Sequence, residues 1–172
     1  MNKKFRKFLS TALIVAAVLI AVWVFLVTCV YFGVQAFAAE PPSITEPCGL
    51  TVEQLESRLK HDLKPYAQAF LNAEEDYGIN ACFIASVAAL ESGWGRFTHV
   101  DNNIFGFAQK EFDSYEHCID YVSWFLFKNY IREDGRYYRG GTIADIGAVY
   151  CPDGGEWVEL VSGIYWRLYY GK

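Results

Sequence analysis

A single carboxylate follows an apolar segment of the chain, where a protonatable group can do acid–base chemistry. Residues Ala81–Leu90 read ACFIASVAAL, in which Ser86 is the one polar residue, and Glu91 comes directly after them. A helix that is apolar on nearly all sides is buried. Burial and the negative end of the helix dipole both disfavour the charged form of a carboxyl group. The sequence therefore predicts that Glu91 holds its proton near neutral pH, as a general acid must.

The alternative for Glu91 is an ordinary surface charge at a fraying helix end, because Glu is common on protein surfaces. Neither Lys nor Arg lies three or four positions away to pair with it, and Trp94 adds apolar bulk nearby. An acidic residue at a helix C-terminus costs about 0.3–1 kcal/mol. These features favour the functional interpretation.

Six helices are predicted to position this residue. Capping residues and glycines delimit them as Thr51 to about Leu63, Pro65 to Tyr77, Ala81 to about Ser92, Ser114 to Leu126, Thr142 to about Val149, and a last helix from Trp157 to Leu168. Residues 93–113 lack helical periodicity and are predicted to form a loop. The pattern predicts a mainly α fold, either all-α or helix-dominated α+β.

Composition narrows the classes of function. The 172 residues are 53% apolar, include 13 Phe and 12 Tyr, and carry a net charge of −5, which excludes a disordered chain. All four basic residues of the first 38 lie between Lys3 and Lys7, so the remainder is strongly acidic and argues against nucleic acid as a partner. No spacing typical of metal ligands or phosphate loops is present, so neither a metal nor a cofactor is expected.

The N-terminal segment is predicted to direct the chain out of the cytoplasm. No charged residue occurs in Phe8–Ala39, and Ala12–Val30 alone approaches the roughly 20 apolar residues that cross a bilayer. The positive cluster before it places the N-terminus inside and the rest outside. An uncleaved signal anchor is favoured, whereas Ala36–Ala38 resembles a signal-peptidase site and leaves a cleaved signal peptide open.

The predicted organisation is an anchor or signal peptide at residues 1–39, a proline-rich linker at residues 40–50 and a domain at residues 51–172. Outside the cell, disulfides can form. Cys48 and Cys151 both lie in loops rich in Pro or Gly, and a loop-to-loop disulfide between them is one expectation among the three pairings open to the four domain cysteines.

Two motifs give the domain a family resemblance. Ala89–Gly95 reads ALESGWG and Asn102–Gly106 reads NNIFG, and Tyr150 and Trp157 fit the later pattern. Over roughly residues 65–169 the chain resembles the glucosaminidase family, glycoside hydrolase family 73. The resemblance implies a lysozyme-like helical fold with a catalytic cleft, and cleavage of the β-1,4 bond after N-acetylglucosamine in the glycan strands of peptidoglycan.

The resemblance also implies roles for individual residues. Glu91 is the expected general acid, and Tyr150 the residue that positions substrate or water. The expected substrate-binding residues are Trp94, Asn102, Asn103, Phe105 and Gly106. For Trp94, stacking on a sugar ring and a structural place are equally open, and Asn102 and Asn103 also suit an ordinary turn, although their place between Glu91 and Phe105 favours the site. For Trp157 a place in the helix core is favoured over sugar stacking, since it fits an apolar helix stripe.

One departure from the family concerns the β-lobe that many members carry after the NNxFG motif. Only residues 107–114 separate Gly106 from Tyr115, so the lobe is expected to be reduced or absent. Glu111 and Asp113 are the only acidic residues in this gap, and the second catalytic group stays open, as does assistance by the substrate's acetamido group.

Two other functions compete with a hydrolase. A lytic transglycosylase shares the lysozyme-like fold and a single acid Glu but leaves a 1,6-anhydro sugar. A catalytically inactive, membrane-tethered glycan-binding scaffold would fit the shortened lobe. In each case the expected location is the outer face of the cell membrane, or the cell wall if the chain is cut after Ala38.

Overall fold

The computed structural model of the chain describes residues 19–29, 43–152 and 155–171. The chain divides into two units, Met1–Glu40 and Pro41–Lys172. In the first unit, residues 19–29 form a helix whose large apolar side chains are exposed. No helix among the described residues is both long and apolar enough to span a bilayer. Most of the predicted segment at residues 1–39 lies outside the described residues, so the anchor or signal peptide stays a prediction.

The second unit is built from helices. The α-helices are α1 (Val52–Arg58), α2 (Ala67–Tyr77), α3 (Ala81–Ser92), α4 (Tyr115–Leu126), α5 (Ile143–Tyr150) and α6 (Gly155–Tyr170). A 3-10 helix (His61–Tyr66) precedes α2, and a π-helical turn (Phe127–Ile131) continues α4. Within the described residues the only β pairing is an isolated bridge between Ser43 and Thr142. The mainly α prediction is confirmed, and residues 107–114 form turns rather than a β-lobe.

The helix boundaries follow local capping chemistry. Thr51 and Thr142 each form a capping box, and the side chains of Asn80 and Ser114 accept hydrogen bonds from backbone N–H groups at the starts of α3 and α4. Gly78, after α2, adopts the left-handed conformation that glycine tolerates best. These starts and stops agree with the sequence prediction.

The first helix is shorter than the sequence predicts. α1 ends at Arg58, where the chain turns extended at Leu59, instead of continuing to about Leu63. The Arg58 side chain donates hydrogen bonds to the backbone carbonyls of Leu168 and Tyr169, at 2.7 and 2.6 Å. A contact to the end of α6 therefore fixes this corner, and a residue so distant in sequence gives no local signal.

Helix α3 is the centre of the core. Every residue from Ala81 to Ala89 is buried, and the helix packs against α6 and α2. Asn80 starts it with its side-chain oxygen accepting from the N–H groups of Cys82 and Phe83, at 2.9 and 3.2 Å. The buried Asn80 side chain also donates to the carbonyl of Glu46 at 2.7 Å, which joins the helix start to the preceding segment.

Residues 43–48, within the predicted linker, pack onto the helices. Ile44 is fully buried; its N–H donates to Gly141 and its carbonyl accepts from the N–H of Asn80. The Glu74 carboxylate accepts from the N–H groups of both Cys48 and Ala81, at 2.8 and 2.7 Å. We call residues 43–48 the strap, because they connect the start of α3 to the start of α5.

The described cysteines form no disulfide, so the expected bond between Cys48 and Cys151 is absent. The thiol of Cys48 lies instead beside that of Cys82, and a hydrogen bond between them lowers the pKa of Cys48 and raises that of Cys82. The strap holds Cys48 at the start of α3, whereas Cys151 lines the cleft described below.

The cap of α3 is predicted to matter more than the cap of α1. Asn80→Ala removes one buried donor and leaves buried N–H groups without a partner, so it should lower the free energy of unfolding by about 2–3 kcal/mol. Thr51→Ala removes an exposed cap and should cost about 0.5–1 kcal/mol. Urea denaturation of both variants measures the difference, and equal losses would contradict the role given to Asn80.

Candidate active site

The last turn of α3 carries Glu91 out of the core. Gly93 ends the helix in the left-handed conformation, and buried Ser92 accepts a hydrogen bond from the N–H of Gly95 at 2.8 Å while donating to the carbonyl of Ala88 at 2.6 Å. The Glu91 side chain is exposed. The burial expected from the apolar helix is therefore wrong for this residue, because the apolar pattern stops one residue before it.

Glu91 presents two different carboxylate oxygens. The indole N–H of Trp157 donates a hydrogen bond to Oε1 at 3.0 Å. Oε2 faces Gly106, where an added Cβ would lie 3.9 Å from it. Among the described residues, no donor contacts Oε2. Oε1 is thus held by the protein, whereas Oε2 is directed towards the open space beside Gly106.

Trp157 reaches Glu91 from the first turn of α6. It is only 7% exposed, and its ring packs against the ring of Tyr150 with centroids 5.2 Å apart. Gly147 of α5 makes room for it: a Cβ there would lie 3.2 Å from the indole ring and 2.5 Å from a methyl group of Val158. The core position favoured by the sequence is therefore correct, and the hydrogen bond to Glu91 is the feature that sequence reasoning missed.

Tyr150 stands at the end of α5 beside both residues. Its hydroxyl lies 3.5 Å from the carbonyl of Phe105, to which it donates a long hydrogen bond. Burial, with a further contribution from the negative charge of Glu91, raises the pKa of Tyr150. The phenol therefore keeps its proton well above neutral pH and remains a hydrogen-bond donor.

The NNIFG loop forms the floor opposite Glu91. The Asn103 side chain is buried, donates to the carbonyls of Phe107 and Lys110 at 3.0 and 2.9 Å, and accepts from the N–H of Phe107 at 2.8 Å. Asn102 donates to the carbonyl of Phe112 at 2.8 Å. These contacts hold the loop. Direct substrate contact by either asparagine stays a prediction.

Trp94 lies outside this group of residues. It has a positive φ of 67°, unusual for a bulky residue, and the Lys60 ammonium lies 5.3 Å from its ring centroid. It is not among the residues lining the cleft with Glu91. Stacking of Trp94 on a sugar is untested and has no support from this placement.

The predicted residues that do come together form one cleft. Its volume is about 390 Å³, within the range typical of small-molecule sites, and it is lined by Glu91, Phe105, Gly106, Phe107, Ala108, Phe125, Tyr130, Tyr150, Cys151 and Trp157. The π-helical turn brings Tyr130 to this wall. Aromatic walls around one carboxylate suit a ligand with apolar ring faces and hydroxyl groups.

Glu91 is the only carboxylate among the described residues that line the cleft. Asp113 is exposed and pairs with His117 at 3.1 Å, and Glu111 is also exposed. Asp153 lies outside the described residues. Where the structure describes the chain, no cluster of His, Cys, Asp and Glu side chains has the arrangement of a metal site.

The fold has a counterpart among solved structures. The crystal structure of S. aureus autolysin E in complex with the muropeptide NAM-L-Ala-D-iGlu superposes with a TM-score of 0.62 at 16% identity, and covers 80% of this chain and 76% of that chain. The expected lysozyme-like helical fold is thereby confirmed.

Sequence comparison then gives the family. The glucosaminidase model, described as mannosyl-glycoprotein endo-beta-N-acetylglucosaminidase, matches residues 67–165. The chain therefore belongs to the glucosaminidase family of glycoside hydrolases. Two proteins from strains of Streptococcus pneumoniae, both provisionally named endo-beta-N-acetylglucosaminidase, are 30% identical over 110 residues. The matches cover 58% of this chain but only 16% and 15% of the relatives' own lengths.

Two glycines allow a matched test of the packing around Trp157. Gly147→Ala should lower the free energy of unfolding by about 1–3 kcal/mol, because its methyl group would overlap Val158 and the indole. Gly163→Ala, within α6, meets nothing within 4 Å and should raise it by about 0.5–1 kcal/mol through the helix preference of Ala. Thermal and urea unfolding measure the free energy of unfolding of both variants. A change of the same sign in both would contradict the predicted packing around Trp157.

The loop asparagines allow a second comparison. Asn103→Asp keeps the acceptor but turns a carboxylate oxygen towards two carbonyls, so it should cost about 2 kcal/mol of stability. Asn102→Asp loses a single, half-buried hydrogen bond and should cost about 1 kcal/mol. Denaturant unfolding measures the loss of stability in each variant. A smaller loss for Asn103→Asp than for Asn102→Asp would contradict the prediction.

Proposed function

We propose that this protein is an exported peptidoglycan hydrolase that cleaves the β-1,4 glycosidic bond after N-acetylglucosamine, with Glu91 as general acid. The observation that carries the proposal is the position of Glu91, one oxygen held by Trp157 and the other open to an aromatic cleft. Family membership and the muropeptide bound by autolysin E support this substrate class.

Substrate binding is proposed to change the surroundings of Glu91. Glu91 is exposed when the cleft is empty. A glycan that fills the cleft displaces water, and loss of water favours the neutral form of a carboxyl group. The proton then lies where the leaving glycosidic oxygen can receive it.

The second half of the reaction is proposed to use the substrate. In the described part of the cleft only Glu91 offers a carboxylate, and attack by the acetamido carbonyl of the sugar on its own anomeric carbon requires no second one. Tyr150, which keeps its phenolic proton, is proposed to position that group or the incoming water by hydrogen bonding.

Export is the other part of the proposal. It is supported by the charge-free residues 8–39, the preceding Lys3–Lys7 cluster and the exposed apolar side chains of the helix at residues 19–29. We propose that the catalytic unit acts outside the cytoplasmic membrane, either anchored to it or released after Ala38.

The test is digestion of purified peptidoglycan by the full chain, followed by mass spectrometry of borohydride-reduced fragments. The wild type should release fragments with reducing N-acetylglucosamine ends. Glu91→Gln should be about 10²–10⁴-fold slower, since the amide keeps the shape and the acceptor for Trp157 but has no acidic proton. Glu111→Gln, at an exposed loop carboxylate, is the matched control and should keep full activity.

Other outcomes identify the competing functions. Fragments with 1,6-anhydro ends would make the protein a lytic transglycosylase. Binding to the wall without release of fragments by the folded wild type would favour the glycan-binding scaffold. Loss of activity in Glu111→Gln, Asp113→Asn or Asp153→Asn would show that a second carboxylate takes part, against the proposed use of the acetamido group.

A further inference from the structure

We infer that Trp157 is the positioning residue of Glu91: its indole N–H fixes Oε1 as an acceptor and thereby assigns the catalytic proton to Oε2. This inference rests on the proposed function, since it names how the acid of that reaction is oriented. The contact that carries it is the 3.0 Å hydrogen bond from Trp157 Nε1 to Glu91 Oε1.

The chemistry of indole makes this contact directional. An indole N–H can only donate, so the oxygen that it contacts must act as an acceptor in both protonation states of the carboxyl group. The carbonyl oxygen of a protonated carboxyl group accepts more strongly than its hydroxyl oxygen, so this contact favours the hydroxyl on Oε2. Oε2 faces Gly106, which has no side chain to cover it, and the open cleft.

The donor is far more constrained than the acid it holds. Trp157 is buried and is packed between the Tyr150 ring and the space left by Gly147, whereas Glu91 is exposed on a flexible side chain. A rigid donor selects one rotamer of the mobile carboxylate before substrate arrives. Orientation set in advance raises the rate of the chemical step more than it tightens binding.

Among the described residues that line the cleft, no charged side chain competes with Trp157 for Glu91. The other titratable groups that line the cleft are the phenols of Tyr130 and Tyr150 and the thiol of Cys151. Burial raises the pKa of both phenols, so they keep their protons near neutral pH.

Trp157→Phe tests the kinetic consequence, because it keeps an aromatic ring at this position and removes the N–H donor. We expect kcat on peptidoglycan fragments to fall about 10–100-fold with KM changed less than about 3-fold. Trp124→Phe on α4, exposed and outside the cleft, is the matched control and should leave both unchanged. An unchanged kcat, or a rise in KM as large as the fall in kcat, would mean a structural role only and would overturn the inference.

A second measurement needs no activity and no change at Trp157. In the ¹⁵N-labelled full chain, the indole N–H signal of Trp157 should shift as Glu91 titrates, and this shift should vanish in Glu91→Gln while the Trp124 signal stays constant in both. A Trp157 signal that does not shift as Glu91 titrates would overturn the inference. If the signal follows Glu91 but the wild type digests no wall, the placement of the proton stands and the proposed function fails.

Discussion

Burial of α3 on all sides is the constraint on which the rest of the structure depends. A helix with no polar face must be surrounded, and α2, α6 and the strap supply that cover. Ser86, the polar residue inside it, satisfies its hydroxyl by donating to the carbonyl of Phe83 within the same helix. Only the last turn can leave the core, and Glu91 occupies that turn. The position of Glu91 is thus a consequence of packing.

Local chemistry explains why so much of the fold could be predicted from the sequence. Helix starts depend on side chains such as Asn80 and Ser114 that act within a few residues, and helix ends on glycines such as Gly93, so both leave signals in the sequence. The end of α1 is different, because Arg58 finds its partners at the end of α6. Local sequence patterns carry no information about a contact between residues so far apart in the chain.

The site was predicted less completely than the fold, for a related reason. The motifs identified Glu91, Phe105, Gly106 and Tyr150, which do line one cleft. Apolar periodicity predicted the burial of α3 but not the residue at which the helix leaves the core. Glu91 was therefore wrongly expected to be buried. Periodicity also marked Trp157 as a core residue and contained nothing about the direction of its N–H. Trp94, which the resemblance placed in the site, lies beside Lys60 and does not line the cleft with Glu91, so its contact with a sugar stays a prediction.

The packing of the strap has a consequence for where the chain can be cut. A protease that acts upstream of Ser43 leaves the helical unit intact, because no contact described for the strap is lost. A cut between Ile44 and Thr51 would loosen the buried side chain of Ile44 and the two backbone carbonyls that bond to Asn80. It would also loosen the hydrogen bond from the Cys48 N–H to Glu74. The few residues before α1 therefore decide whether proteolysis releases an intact folded unit or disrupts it.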